Sequence, residues 1–187
     1  MSYLLYHYYD KDLGPFRNLS SLPFSQANQI LNQLIQEGKG FASRRSNDYL
    51  VIRRELEEQA RNAFIRKGGK PRNEFPHYMT LEACCWIKEW YIEGCEINIR
   101  LDEFNEDSIS FTYGDLFPTM RYEDGKFYRK QVYTKKEIME LVGKLGLPQE
   151  WNKDGTLGPE RYVEVQIWDE DIISKYLKKR SIIIGGA

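Results

Sequence analysis

Histidine and cysteine are scarce in this 187-residue chain, which has two of the first and three of the second. Two of the cysteines, Cys84 and Cys85, are adjacent, so a full disulfide framework is excluded. A zinc site is not expected either, because the paired Cys or His spacings that such sites use are missing. Asp10 and Asp12, and later Glu103, Glu106 and Asp107, do not follow a calcium-loop pattern, so no metal is expected. An excess of one charge is also lacking. The 27 basic and 28 acidic residues leave a net charge of −1, which gives no bulk attraction to nucleic acid. Long apolar runs are absent too. The longest, Ile182-Ile183-Ile184, is far short of the roughly 18 residues a membrane helix needs. The N-terminus has neither the basic start nor the continuous apolar stretch of a secretory signal, so a cytoplasmic chain is expected.

What is present is an ordinary globular composition, 41% hydrophobic and 29% charged, with an aromatic share of 14% that includes thirteen Tyr and four Trp. Tyr and Trp join a large apolar body to a polar tip, so they serve clefts as well as cores. A single domain over residues 1–187 is expected, with about 175–187 as a loosely ordered tail. Residues 3–9, YLLYHYY, read as a strand closed by a turn over 10–15. Residues 23–37 read as a helix, with an apolar stripe from Phe24 to Ile35 and Gly38 as its stop. A second helix is expected from about Asn47 to Lys67, ended by Gly68-Gly69. HYMTL reads as a short strand, followed by a compact helix through Trp86 and Trp90. CEINIRL alternates cleanly and SISFTY follows as another strand. Asp124-Gly125 is expected to turn a hairpin between RYE and KFYRKQVY. Thr134 and Glu137 make a capping box for a helix to Gly146, and a Pro- and Gly-containing loop leads to the last strand, RYVEVQIW. The fold class is therefore α+β, with a mixed or antiparallel sheet of short strands and helices mainly in the N-terminal half.

The last strand carries the clearest candidate chemistry. Val163, Val165 and Ile167 point to one side, and Tyr162, Glu164, Gln166 and Trp168 to the other. A carboxylate between large aromatic residues is placed as a cleft residue would be, and desolvation there raises its pKa. The alternative is a solvated sheet face. His7, among tyrosines on the first strand, is either a hydrogen-bonding group at a cleft or a structural histidine in an aromatic cluster. Cys84 and Cys85 with His77 could make a thiol nucleophile, although a small core cysteine is the commoner use. The stretch RKGGKPR is basic and glycine-rich but lacks the GK[ST] of a phosphate loop. Two Leu-Gly-Pro-x-Arg turns, ending in Arg17 and Arg161, adjoin the first and last strands.

The order of these residues resembles the ADP-ribosyltransferase superfamily of the His-Tyr-Glu type: His7 in YHYYD, Tyr78 in HYMTL and Glu164 in YVEVQIW. EINIRL, DEFNEDS and ISFTYGD are also similar to the strand–loop–strand ending in FT-x-G of DNA-modifying members. As a whole the chain resembles a family of small bacterial proteins. The superfamily resemblance implies NAD as a substrate. His7 would hydrogen-bond the NAD ribose and Tyr78 would stack on nicotinamide. Glu164 would bond the nicotinamide ribose and stabilise the charge that develops as nicotinamide leaves. Arg17 and Arg161 would reach the phosphates, because the guanidinium fork matches phosphate oxygens, and Tyr113 and Gln166 would complete the dinucleotide site. The chain carries Tyr8 where the family has Gly. Its Glu164-x-Gln166 reverses the [Glu/Gln]-x-Glu of arginine-specific members. The alternative function is a non-catalytic module whose aromatic cleft holds a nucleotide, a peptide or a protein partner.

Overall fold

A computed structural model describes residues 2–184, with side chains through Lys178. Five strands form one antiparallel sheet: β1 (Leu4–Asp10), β2 (His77–Leu81), β3 (Gly94–Arg100), β4 (Ile109–Tyr113) and β5 (Val163–Ile167). Their spatial order is β3-β1-β2-β5-β4. The helices are α1 (Phe24–Glu37), α2 (Tyr49–Arg66), α3 (Cys85–Lys88), α4 (Leu116–Arg121), α5 (Lys135–Leu145), α6 (Pro148–Trp151) and α7 (Asp171–Ile184). The α+β class expected from the sequence is the one observed.

Both faces of the sheet are covered. One face carries Leu5, Met79, Ile99, Phe111, Val163, Val165 and Ile167, and buries them against Ile138, Leu141 and Val142 of α5 and Ile173 of α7. The capping box fixes where α5 starts: Glu137 N–H donates to the Thr134 hydroxyl, and Thr134 N–H donates to the Glu137 carboxylate. On the other face Trp168, just past β5, packs with Leu56, Ala60 and Phe64 of α2 and Leu116 of α4. All of β5 is therefore buried, including its polar alternates Glu164 and Gln166. Period-2 alternation on β5 thus marks two buried faces of different polarity rather than an inside and an outside.

One segment differs from expectation. The hairpin around Asp124-Gly125 does not form. Asp115 caps α4 by accepting from Phe117 N–H, and Pro118 falls in the first turn of this helix, where its missing N–H costs nothing. The 123–130 segment is then tied by ion pairs from Arg129 to Asp124 and from Lys130 to Glu123, and only Tyr133 bridges to Phe111 of β4. The stretch expected as a loosely ordered tail, about 175–187, includes the end of α7 at Ile184, and residues 185–187 lie outside the described residues.

Candidate functional site: a buried polar chain and an open groove

Register decides which predicted residues share a face. Tyr6 lies opposite Thr80, Thr80 opposite Glu164, and Glu164 opposite Thr112. Tyr78 pairs with Gln166, two residues along, so Tyr78, Glu164 and Gln166 project from the face that α2 covers. His7 is one residue out of phase with Tyr6. It pairs with Ile97, which packs into the other core. His7 therefore faces away from Tyr78 and Glu164, and the three do not line one cleft.

The His7 ring is occupied structurally. Phe16 N–H donates to Nε2 at 2.8 Å, which leaves Nδ1–H to donate to the Tyr78 carbonyl at 2.9 Å. Phe16 takes a positive φ of 56° to do this and stacks on the imidazole at 4.0 Å between centroids. Loss of water pushes the His7 pKa down to about 4, so the ring is neutral at pH 7. Tyr113, placed among the dinucleotide contacts by the resemblance, belongs to the same core as Ile97; its hydroxyl donates to Gly146 O and accepts from Trp151 Nε1.

On the α2 face the polar groups form one chain with a fixed direction. Trp168 Nε1–H donates to Ser110 Oγ at 2.8 Å, and Ser110 donates to Gln166 Oε1 at 2.9 Å. The Gln166 amide then donates to Glu164 Oε1 and to Thr112 Oγ1, both at 3.1 Å. The Tyr162 hydroxyl lies 3.1 Å from Glu164 Oε2 and 3.0 Å from Asp115 Oδ2. One phenol has one proton to give, so one of the two carboxyls must be protonated to satisfy both contacts. Burial, and next the Asp115 charge, hold Glu164 well above the ordinary carboxylate range. Burial raises Asp115 as well, but Phe117 N–H at the start of α4 and then Tyr162 bond to its charged form. The proton therefore sits on Glu164, which donates to Tyr162, which donates to the Asp115 carboxylate.

A second buried carboxylate fastens α2 above this chain. Glu57 accepts from Arg53 Nε at 2.8 Å and from the Tyr78 hydroxyl at 2.7 Å. The Arg53 guanidinium also lies over the Tyr78 ring, 5.0 Å from its centroid. Glu57 had no sequence signal of its own, since it reads as one more residue of the Arg- and Glu-bearing face of an amphipathic helix. Tyr78 is thus committed to Glu57, with its hydroxyl pKa raised by burial and then by the Glu57 charge.

The two Leu-Gly-Pro-x-Arg turns lie at opposite ends of the sheet. Arg17 follows the end of β1, which runs antiparallel to β2. Arg161 precedes β5, whose first residue lies beside the far end of β2, Leu81. They cannot clamp one dinucleotide together. Arg17 donates to Leu13 O within its own turn. The basic 61–72 stretch is neutralised in part: Arg72 pairs with Asp169 and Asp171, Lys67 with Glu137, and Lys70 with Asp107, while Arg61 donates to backbone carbonyls of Pro71 and Asn73. Cys84 and His77 stand at opposite ends of β2, and the His77 ring bonds Glu170 at 2.8 Å. Cys84 is buried, which raises its thiol pKa. Among the described residues no group of three or more His, Cys, Asp or Glu is placed to hold a metal ion.

Arg161 instead lines an open groove of about 1040 Å³, between the start of β1, the loop after β2 and the α5–α6 corner. Leu4, Ala83, Val142 and Leu147 supply its apolar lining, Trp86 one wall, and Glu82, Gln149, Glu150, Lys153 and Arg161 its polar edges. The Arg161 guanidinium lies over Trp86, 4.3 Å from the ring centroid, and donates through Nη2 to Lys153 O at 2.6 Å. Gly155 is what permits this: a Cβ there would come within 2.5 Å of Arg161 Nη1. Gln149 donates to Leu81 O, leaving its own Oε1 buried and unbonded among the described residues. Trp86 also touches Tyr162, with centroids 6.4 Å apart, so the groove wall backs onto the buried chain.

Comparison with protein-family models, with curated proteins and with solved structures returned no match.

Proposed function

We propose that the chain is a non-catalytic nucleotide-binding module whose site is the groove walled by Trp86 and Arg161. One observation carries this reading: Arg161 is held before any ligand arrives. Its guanidinium lies over the Trp86 ring, is backed by Gly155 and is tied to Lys153 O. A guanidinium fixed in this way loses little freedom on binding, and its fork matches the paired oxygens of a phosphate. Lys153 adds a second cation at the same edge, and the apolar lining from Leu4 to Leu147 gives the base or sugar a surface to cover.

Glycosyl transfer from NAD, the other reading, needs His7, Tyr78 and Glu164 in one cleft, and this arrangement lends that no support. His7 faces the other core, Tyr78 is bound to Glu57, and Glu164 is enclosed. NAD remains a useful probe because it carries phosphates, adenine and nicotinamide in one molecule.

The test is equilibrium binding of ADP and NAD, read by tryptophan fluorescence and by the shift in melting temperature. ADP at 100 times its Kd adds about 2.7 kcal/mol to stability, a clear shift. Binding of both is expected, with at least a tenfold loss in Arg161→Ala and in Trp86→Ala, and with no nicotinamide released. If neither nucleotide binds, or if Arg161→Ala binds as tightly as the native chain, the assignment is wrong. Nicotinamide release would return the transferase reading to first place.

A further inference from the structure

We infer that the free edge of β3 is a self-association surface on which a second copy of this chain pairs, antiparallel and two-fold symmetric about Asn98. Among the described residues β3 pairs only with β1, over its whole length from Gly94 to Arg100, so its outer side has no strand partner. At the other end of the sheet, β4 is shielded by the bridge from Tyr133 to Phe111. The β3 edge has no such cover, and an uncovered edge seven residues long is a template for another strand.

Backbone phase says which groups are on offer. Leu101 N–H donates to Tyr3 O, so that pair is of the hydrogen-bonded kind. Alternation then turns Ile99, Ile97 and Cys95 inward to β1 and leaves the N–H and C=O of Gly94, Glu96, Asn98 and Arg100 pointing outward. A partner strand must bond to those residues. Centring the two-fold axis on Asn98 sets Asn98 against its copy, and sets Glu96 against Arg100 of the second chain and Arg100 against its Glu96. Of the registers centred between Glu96 and Arg100, this one alone makes those two opposite-charge pairs. A register centred on Glu96 or on Arg100 would instead oppose like charges, which is destabilising.

The opposite face agrees with the same register. It places Ile97, half-buried on the edge of its core, against Ile99 of the copy in a close non-hydrogen-bonded pair, and the reverse pair is identical. The pairing would join two five-stranded sheets into one continuous sheet. Within a single chain the same charges have only exposed local partners, Lys88 for Glu96 and Asp102 for Arg100, which cost little to exchange.

Sedimentation velocity over a concentration series tests this on the full chain. The expected result is a reversible shift from the 22.2 kDa monomer to twice that mass. Arg100→Glu opposes two carboxylates at each end of the pairing and should abolish the shift; Glu96→Arg combined with Arg100→Glu should restore it. Asn98→Pro is a second route, because it removes an outward N–H that the β1 ladder does not use, so the fold is kept and the dimer is lost. Far-UV circular dichroism checks that each variant is folded. A chain that stays monomeric up to its solubility limit overturns the inference and leaves the edge to a strand from another protein. A dimer that survives both Arg100→Glu and Asn98→Pro also overturns it, by placing the contact elsewhere.

Discussion

At the scale of single residues, the protonated Glu164 is the most specific claim. A neutral carboxyl that accepts from Gln166 and donates to Tyr162 has the hydrogen-bonding shape of an amide. Glu164→Gln should therefore leave stability at pH 7 unchanged or slightly raised, since the folded state already holds the group neutral. Glu164→Leu, which strands Gln166 and Tyr162, should cost on the order of 2 kcal/mol. Equal losses for the two variants in urea unfolding would mean that Glu164 is ionised. His7 makes the opposite kind of prediction. Its pKa is about 4 when folded and near 6.5 when unfolded, so the unfolded chain takes up the proton first as pH falls. His7 therefore contributes fully above pH 6.5 and loses its contribution between there and about pH 4, roughly 3 kcal/mol at most. The raised carboxyls of Asp115 and Glu164 slope the other way, so the native profile is a sum. The difference between the native chain and His7→Gln isolates the histidine, and a constant difference across that window would remove it from the acid transition.

At the scale of elements, what fixes a helix end and what fixes a helix to the sheet should differ in size. Thr134→Ala removes the cap of α5 and should cost about 1 kcal/mol. Glu57→Ala leaves the Arg53 guanidinium buried without its carboxylate and should cost roughly 3–5 kcal/mol, because α2 is fastened to β2 there. Chemical unfolding of the two variants side by side checks the ranking. The elements themselves were largely legible: the apolar stripes of α1, α2 and α5, the capping box, and the alternation of β3 and β5 all have local causes. The hairpin at Asp124-Gly125 failed because a turn dipeptide says nothing of the competing cap at Asp115 or of the ion pairs that hold residues 123–130. The site was legible only in part. Glu164, Tyr162 and Gln166 share a face by period-2 reasoning alone. That His7 falls on the other face depends on how β1 registers with β2 across 70 residues of chain, and no local pattern carries it. Glu57 and Asp115 joined the site through tertiary packing, which one sequence does not display.

At the scale of the whole molecule, the sheet is unevenly joined. β1 pairs with β3 along all seven residues, and β2, β5 and β4 are paired along five residues at each junction. Between β1 and β2 the ladder registers only Leu5 with Leu81 and Tyr6 with Thr80. Beyond these the His7 imidazole stands in for the missing backbone bond by reaching the Tyr78 carbonyl. Native-state hydrogen exchange should accordingly separate two groups of amides. Those of β2, β4 and β5 should exchange only on global unfolding, and those linking β1 to β3 at a lower opening free energy. Identical opening energies across all five strands would contradict this.

In mechanical terms the line between β1 and β2 is a seam closed by a rivet, and the rivet is an aromatic ring rather than peptide backbone. A load applied through the N-terminus would peel β1 and β3 away as one flap, resisted along this line by the two registered pairs, the two bonds between Leu4 and Glu82, and the His7 ring. Acid acts on the other ring nitrogen: a proton on Nε2 would remove the bond from Phe16 N–H and leave the Nδ1–H bond to Tyr78 in place.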